Sequence, residues 1–174
     1  MSVMYDSVLR GLATKLMVLC KKAGVHLSTA ESCTGGMIGA ILTSVPGSSE
    51  VFEGGIISYQ NHLKSALLHV PERLLECVGA VSKECAEAMA SGAAEAMKTE
   101  LTLAVTGIAG PGGATAQKPV GLVYISCFYR GKLETSENHF LGDRDAVRTQ
   151  TVEKALQMAL TCLTKEREDQ NGQN

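Results

Sequence analysis

Tryptophan is absent from this chain of 174 residues, and aromatic residues make up only 4% of it. Hydrophobic residues nevertheless account for 45%, so the core must consist mainly of aliphatic side chains. The 18 glycines allow helices and strands to approach one another closely. This composition is typical of a layered α/β protein, and the length predicts one domain.

An excess of positive charge is also missing. The net charge of −2 argues against a nucleic-acid-binding surface, which is normally basic. No run approaches the roughly 18 apolar residues that a membrane-spanning helix requires. The first six residues lack the basic and apolar regions of a signal peptide. We therefore expect a cytoplasmic protein with neither nucleic-acid nor membrane partners.

Several common site motifs are missing as well. The six cysteines form no Cys-x-x-Cys pair and the four histidines are isolated, so we expect reduced thiols and no bound metal or other cofactor. Residues 107–113 have glycines at nearly the spacing of an ATP-type phosphate loop, but no Lys-Ser/Thr follows them. No serine lies in a Gly-x-Ser-x-Gly elbow.

Hydrophobic periodicity predicts alternating helices and strands in roughly the order α-β-α-β-α-α-β-β-β-α, in which residues 61–68 count only as an additional helical turn. The predicted helices cover residues 7–23, 37–42, 61–68, 71–77 and 82–98, with a long last helix from residue 142. The predicted strands cover residues 25–30, 54–59, 101–106, 120–129 and 133–141. This order indicates a three-layer α/β/α fold with a mixed, mostly parallel sheet of about five strands. We expect the domain to cover residues 1–165 and residues 166–174 to form a polar, frayed tail.

Two glycine-rich segments follow predicted strands, at residues 30–39 and 106–113. In an α/β sheet, such strand exits present backbone N–H groups and small polar side chains at one edge. We therefore predict one shared site for a small molecule. The candidate ligand-binding residues are Glu31, Ser32, Cys33, Thr34, Gly35, Gly36, Thr106, Gly107, Gly110, Gly112 and Gly113.

Ser49, Tyr59 and Lys64 form a candidate catalytic set. A serine hydroxyl needs a base to become a nucleophile, and a desolvated neutral lysine can supply one. A tyrosine can orient or relay the proton. The spacing also fits a simpler interpretation, in which Ser49 caps a turn, Tyr59 packs and Lys64 is solvated. Cys33 is a rival nucleophile, and Ser32 is the next serine to consider.

The chain resembles the family of CinA C-terminal domains, the nicotinamide-nucleotide amidohydrolases. The matching segments occur in family order across roughly residues 8–163. They are residues 29–36 (TAESCTGG), 45–49 (VPGSS), 52–59 (FEGGIISY), 79–82 (GAVS), 104–113 (AVTGIAGPGG), 118–121 (KPVG) and 142–148 (GDRDAVR).

The resemblance implies that the protein hydrolyses the carboxamide of nicotinamide mononucleotide to give nicotinate mononucleotide and ammonia, without a cofactor. It assigns the nucleophile to Ser49 and the supporting roles to Tyr59 and Lys64. Two departures, His62 in place of an acidic residue and the sequence Ala-Thr-Ala-Gln at 114–117, leave an alternative open. In that alternative the chain is an inactive paralogue that binds a nucleotide.

The substrate phosphate needs N–H donors and a cation. Arg144 and Arg148 lie one turn apart at the predicted start of the last helix, where the helix dipole also favours anions. We predict that Arg144 binds the phosphate, with Arg148 a weaker candidate; both could instead pair with nearby acidic residues. Because small enzymes often use two-fold interfaces, we also expect a homodimer.

Overall fold

The computed structural model of this protein describes the backbone of residues 6–171 and the side chains of residues 6–165. The helices are α1 (Ser7–Ala23), α2 (Met37–Thr43), α3 (Asn61–Leu68), α4 (Glu72–Cys77), α5 (Lys83–Met97) and α6 (Arg144–Asn171), with a short 3-10 turn at Ser48–Glu50. The strands are β1 (Leu27–Glu31), β2 (Phe52–Ile57), β3 (Leu101–Gly107), β4 (Leu122–Tyr129) and β5 (Lys132–His139).

The five strands form one mixed sheet in the order β2-β1-β3-β4-β5. Strand β1 pairs in parallel with both β2 and β3, whereas β4 is antiparallel to both β3 and β5. Four strands therefore run in one direction and only β4 runs in the other. The carboxyl ends of β2, β1 and β3 consequently lie side by side at one edge of the sheet.

Helices cover both faces of this sheet. Helices α1, α2 and α6 pack together on one face, and α5 crosses the other face with α3 and α4 against it. Each face has its own aliphatic core, with Leu16, Ile41 and Leu156 buried on the first and Leu68 and Met89 buried on the second. The predicted three-layer α/β/α architecture is confirmed.

Local sequence signals set the helix ends. The Asp6 carboxylate accepts a hydrogen bond from the Val8 amide at 3.0 Å and begins α1, and Gly24 ends it in a left-handed conformation. The Ser82 hydroxyl accepts from the Cys85 amide at 3.2 Å and begins α5. Arg130 and Gly131 both have positive φ, as the tight turn between β4 and β5 requires.

Two predicted boundaries change. Strand β2 ends at Ile57, so Tyr59 lies in the following loop rather than in the strand. Helix α6 continues to Asn171, so the polar tail predicted from residue 166 is helical that far; residues 172–174 lie outside the described part of the chain. Within that part, no helix is both long and apolar enough to cross a membrane.

Helix α5 approaches the end of α3 unusually closely at Gly92. A Cβ atom at Gly92 would fall on the backbone carbonyl group of Leu68, 2.7 Å from its carbon atom. Any side chain here would therefore have to push α3 away from α5. This close contact helps to seat α3, which carries Lys64.

Replacing Gly92 by alanine should lower the free energy of unfolding by about 1–3 kcal/mol, the usual cost of overpacking. That cost exceeds the gain of up to about 1 kcal/mol from the better helix propensity of alanine. The matched control is Gly11→Ala in α1, where a Cβ would meet nothing within 4 Å, so this change should stabilise. Urea denaturation measures both. Equal shifts in the two variants would contradict the close contact.

Candidate active site

A cavity of about 260 Å³ opens at the edge where β2, β1 and β3 end. Ser32 enters it directly after β1, Tyr59 and α3 enter after β2, and residues 107–113 enter from the end of β3. Arg144, the first residue of α6, completes the wall. This is the usual place for a ligand site in an open α/β sheet.

The sequence predicted most of the residues that line this cavity. The predicted lining residues are Ser32, Cys33, Tyr59, Lys64, Thr106, Gly107, Gly110, Gly112, Gly113 and Arg144. The lining residues that were missed are Asn61, Ala80, Val81, Ile108 and Ala109. Asn61 had a usable signal, because it precedes Lys64 by three residues in a predicted helix and such residues share a face.

Ser32 and Lys64 are in direct contact at the base of the cavity. The Lys64 amine donates a hydrogen bond to the Ser32 hydroxyl, with 3.1 Å between Nζ and Oγ. It also donates to the carbonyl oxygens of Ser58 at 2.7 Å and Tyr59 at 3.5 Å. Both side chains are buried, Ser32 with 8% and Lys64 with 1% of their surface exposed.

The Lys64 amine has no carboxylate partner among the described residues, since its hydrogen-bond acceptors are one hydroxyl and two backbone carbonyls. Burial penalises its charged form and lowers the pKa of Lys64 below the ordinary lysine value. A neutral amine has two N–H groups and one lone pair. With the two N–H groups on the two carbonyls, the lone pair can accept the Ser32 proton.

The structure does not bring Ser49 to this pair. Ser49 lies in the exposed 3-10 turn that precedes β2, whereas Tyr59 and Lys64 follow β2. Six strand residues separate the two positions, and at the usual rise per residue they span roughly 20 Å. Ser49 and Lys64 lie beyond opposite ends of one strand, so the structure does not bring the predicted nucleophile and its predicted base together.

Glu31, a predicted ligand-binding residue, instead makes hydrogen bonds to the start of α2. Its buried carboxylate accepts hydrogen bonds from the Thr34 hydroxyl at 2.6 Å and from the amides of Gly36, Ile38 and Gly39 at 3.0, 3.1 and 2.8 Å. These donors include the otherwise unsatisfied N–H groups at the start of α2. Glu31 thus caps α2 from within and shapes the loop that carries Ser32.

Three further predicted ligand-binding residues do not line the cavity. Thr34 turns its hydroxyl to Glu31, and its carbonyl accepts from Arg148 at 3.0 Å. Gly35 and Gly36 adopt positive φ and form the turn into α2. These residues, together with Glu31, support the Ser32 loop and do not line the cavity.

Cys33 lines the cavity but is a poor nucleophile. Burial raises the pKa of the Cys33 thiol to about 12, and the nearby Glu31 carboxylate contributes in the same direction. The reactive thiolate is therefore disfavoured at neutral pH. Within the described residues, no group of three or more histidine, cysteine, aspartate or glutamate side chains is arranged to hold a metal ion.

Tyr59 and Arg144 meet at the mouth of the cavity. The Arg144 guanidinium donates to the Tyr59 hydroxyl at 2.9 Å and to the Gly110 carbonyl at 2.8 Å. Arg148, by contrast, does not line the cavity and donates to the Thr34 carbonyl beneath the Ser32 loop. The two arginines of the predicted phosphate site therefore have separate positions.

Comparison with known proteins places the chain among its relatives. A model of the family described as the CinA C-terminal domain matches residues 9–163. A CinA-like protein of Dictyoglomus thermophilum is 48% identical over 138 residues, which cover 79% of this chain and 34% of that protein. A CinA-like protein of Desulfotalea psychrophila is 50% identical over 135 residues, or 78% of this chain and 33% of that protein. The chain thus spans about a third of the length of these curated relatives.

Solved structures agree with this relationship. The competence/damage inducible protein CihA from Agrobacterium tumefaciens has a TM-score of 0.90 and 40% identity, covering 94% of this chain and 99% of that chain. A competence-damaged protein (CinA) superfamily protein from Klebsiella pneumoniae has a TM-score of 0.88 and 30% identity, covering 90% and 98%. The chain belongs to the CinA C-terminal domain family.

Proposed function

We propose that this protein is an amidohydrolase that converts nicotinamide mononucleotide to nicotinate mononucleotide and ammonia, with Ser32 as the nucleophile and Lys64 as its base. The observation that carries the proposal is the buried contact of 3.1 Å between Lys64 Nζ and Ser32 Oγ at the base of the cavity. A serine beside a neutral lysine is a recognised arrangement for attack on an amide. The family relationship supports the substrate.

The reaction needs two proton transfers in its first half. Lys64 accepts the Ser32 proton as Oγ attacks the carboxamide carbon, which forms a tetrahedral intermediate with a negative oxygen. The protonated Lys64 then gives its proton to the amide nitrogen, the carbon–nitrogen bond breaks and ammonia leaves. In the second half, neutral Lys64 activates a water molecule that hydrolyses the Ser32 ester. Nicotinate mononucleotide is released and the Ser32 hydroxyl is restored.

Backbone amides can stabilise the negative oxygen. Ala109, Gly110, Gly112 and Gly113 line the cavity, and their backbone N–H groups donate to no acceptor within the described residues. The glycines at 110, 112 and 113 keep this segment free of side chains, so a ligand can approach the backbone. We assign oxyanion stabilisation to this segment.

The two sequence departures from close relatives fall on exposed residues outside the cavity lining. His62 is exposed on α3, and residues 114–117 are exposed in the loop that follows the glycine-rich segment. Neither lines the cavity. The alternative of an inactive paralogue that binds a nucleotide therefore gains no support from them, and it remains an outcome of the assays below.

The first test of the proposed function concerns Ser32 and Lys64 as a unit. Ser32→Ala and Lys64→Met should each lower the rate of ammonia release from nicotinamide mononucleotide by about a hundredfold or more. The double variant should be little slower than either single variant, because each residue works only through the other. The matched control is Ser49→Ala, which should keep most of the activity. Loss of activity in Ser49→Ala with a normal Ser32→Ala would refute the assignment.

The pH profile provides a second test. Lys64 acts as a base only when neutral, and burial lowers its pKa. The turnover rate under chemistry-limited conditions should therefore rise with pH through this lowered pKa and level off before the ordinary lysine value is reached. Initial rates from the acidic through the alkaline range measure this. The absence of any rising limb below the ordinary lysine pKa would count against a lysine base.

Cys33 provides a third test, because its thiol lines the same cavity. Since burial raises its pKa to about 12, Cys33→Ala should retain most of the activity and iodoacetamide should inhibit the enzyme only weakly. Circular dichroism of the variant serves as the folding control. A folded Cys33→Ala variant without turnover would move the nucleophile from Ser32 to Cys33.

Saturable binding without ammonia release would favour the binding module over the enzyme. Calorimetric titration of the wild-type protein with nicotinamide mononucleotide distinguishes the two, because an active enzyme produces continuing heat from turnover.

A further inference from the structure

Tyr59 lies in the cavity but not in the path of the Ser32 proton. Lys64 reaches the Ser32 hydroxyl directly, so no intervening group is needed to carry the proton between them. The contact between Lys64 and Tyr59 involves the Tyr59 backbone carbonyl and not its side chain. The Tyr59 hydroxyl is therefore available for another role.

The Tyr59 side chain is positioned at the solvent side of the cavity. It is 51% exposed, whereas Lys64 is 1% exposed. Its hydroxyl accepts a hydrogen bond from Arg144 at 2.9 Å. The proton of that hydroxyl has no acceptor among the described residues, so Tyr59 can donate it to a ligand while it still holds Arg144.

Arg144 is held between two sides of the mouth. One guanidinium nitrogen donates to the Gly110 carbonyl in the loop after β3, and another donates to Tyr59 in the loop after β2. A guanidinium is planar and presents five N–H donors. Two of its nitrogens are thus fixed by the protein, and its remaining N–H groups have no acceptor among the described residues.

The charge of the cavity favours an anion. None of the described residues that line it carries a carboxylate. Burial favours the neutral form of Lys64, so the guanidinium of Arg144 supplies the positive charge among the lining side chains. A dianionic phosphomonoester at the mouth would meet this charge and the free Tyr59 proton together.

We propose that Tyr59 is a specificity-determining residue, whose hydroxyl orients Arg144 and joins it in binding the phosphomonoester group of the substrate. This inference rests on the proposed function for the identity of the substrate. In this arrangement the reaction takes place at Ser32 and Lys64. The anion is bound at the mouth of the same cavity by Tyr59 and Arg144. This differs from a role for Tyr59 in proton transfer.

The experiment compares a phosphorylated and a dephosphorylated substrate, nicotinamide mononucleotide and nicotinamide riboside. Tyr59→Phe should reduce the preference for the nucleotide, measured as the ratio of the two kcat/KM values, by about tenfold, the usual effect of losing a hydrogen bond to a charged group. The change should be mainly in KM for the nucleotide. Tyr124→Phe is the matched control, because its hydroxyl donates to Glu137 outside this cavity.

A double-mutant cycle tests whether Tyr59 acts together with Arg144. In an Arg144→Met background, Tyr59→Phe should change the substrate preference by less than about twofold, because the partner is already lost. Full additivity of the two changes would overturn the inference. So would an equal loss of kcat on both substrates in Tyr59→Phe, which would indicate a role in proton transfer.

Binding measurements decide the inference independently of turnover. In a Ser32→Ala background, calorimetry should show that Tyr59→Phe weakens binding of nicotinamide mononucleotide about tenfold and binding of nicotinamide riboside far less. If wild-type protein releases no ammonia, the proposed reaction fails, and this arm still tests recognition of the phosphate. Equal weakening of both ligands, or of neither, would overturn the role of Tyr59.

Discussion

The site depends on the burial of the Lys64 amine, which has no carboxylate partner among the described residues. An unpaired charge inside a protein is costly, so the surroundings favour the neutral amine that the proposed chemistry needs. The fold achieves this by seating α3 tightly against α5, where Gly92 admits the backbone carbonyl of Leu68. It also directs the Ser58 carbonyl at the amine. A looser α3 would let water reach Lys64 and restore its ordinary basicity.

A second buried ionisable side chain at this edge, Glu31, has several hydrogen-bond donors around it. The Glu31 carboxylate accepts N–H groups at the start of α2 and the Thr34 hydroxyl. These donors compensate for the loss of water and tie the end of β1 to the first turn of α2. Ser32 is the first residue of the loop between them, and its hydroxyl lies against the Lys64 amine. The adjacent residues Glu31 and Ser32 thus have separate roles, Glu31 in capping α2 and Ser32 in contacting Lys64.

The family resemblance is carried by motifs, whereas the structure shows which side chain of each motif contacts which partner. Ser49 belongs to a matching motif but lies at the amino end of β2, and it is Ser32 that contacts Lys64. Tyr59 belongs to another and contacts Arg144. A sequence motif alone does not reveal which of its side chains lie at the cavity. That depends on which end of the adjacent strand the motif occupies.

The sequence by itself determined the order of the elements, the three-layer class and the two glycine-rich strand exits, because hydrophobic periodicity, caps such as Asp6 and Ser82, and glycine turns are local signals. The predicted strand at 54–59 also lies between Ser49 and Lys64, and this already indicated that the two residues are far apart. Only the tertiary structure decided that Ser32 faces Lys64, that Glu31 points away from the cavity and that Tyr59 meets Arg144. These contacts join residues distant in the chain, and they follow from the parallel pairing of β1 with β2 and β3, which brings three strand ends to one edge.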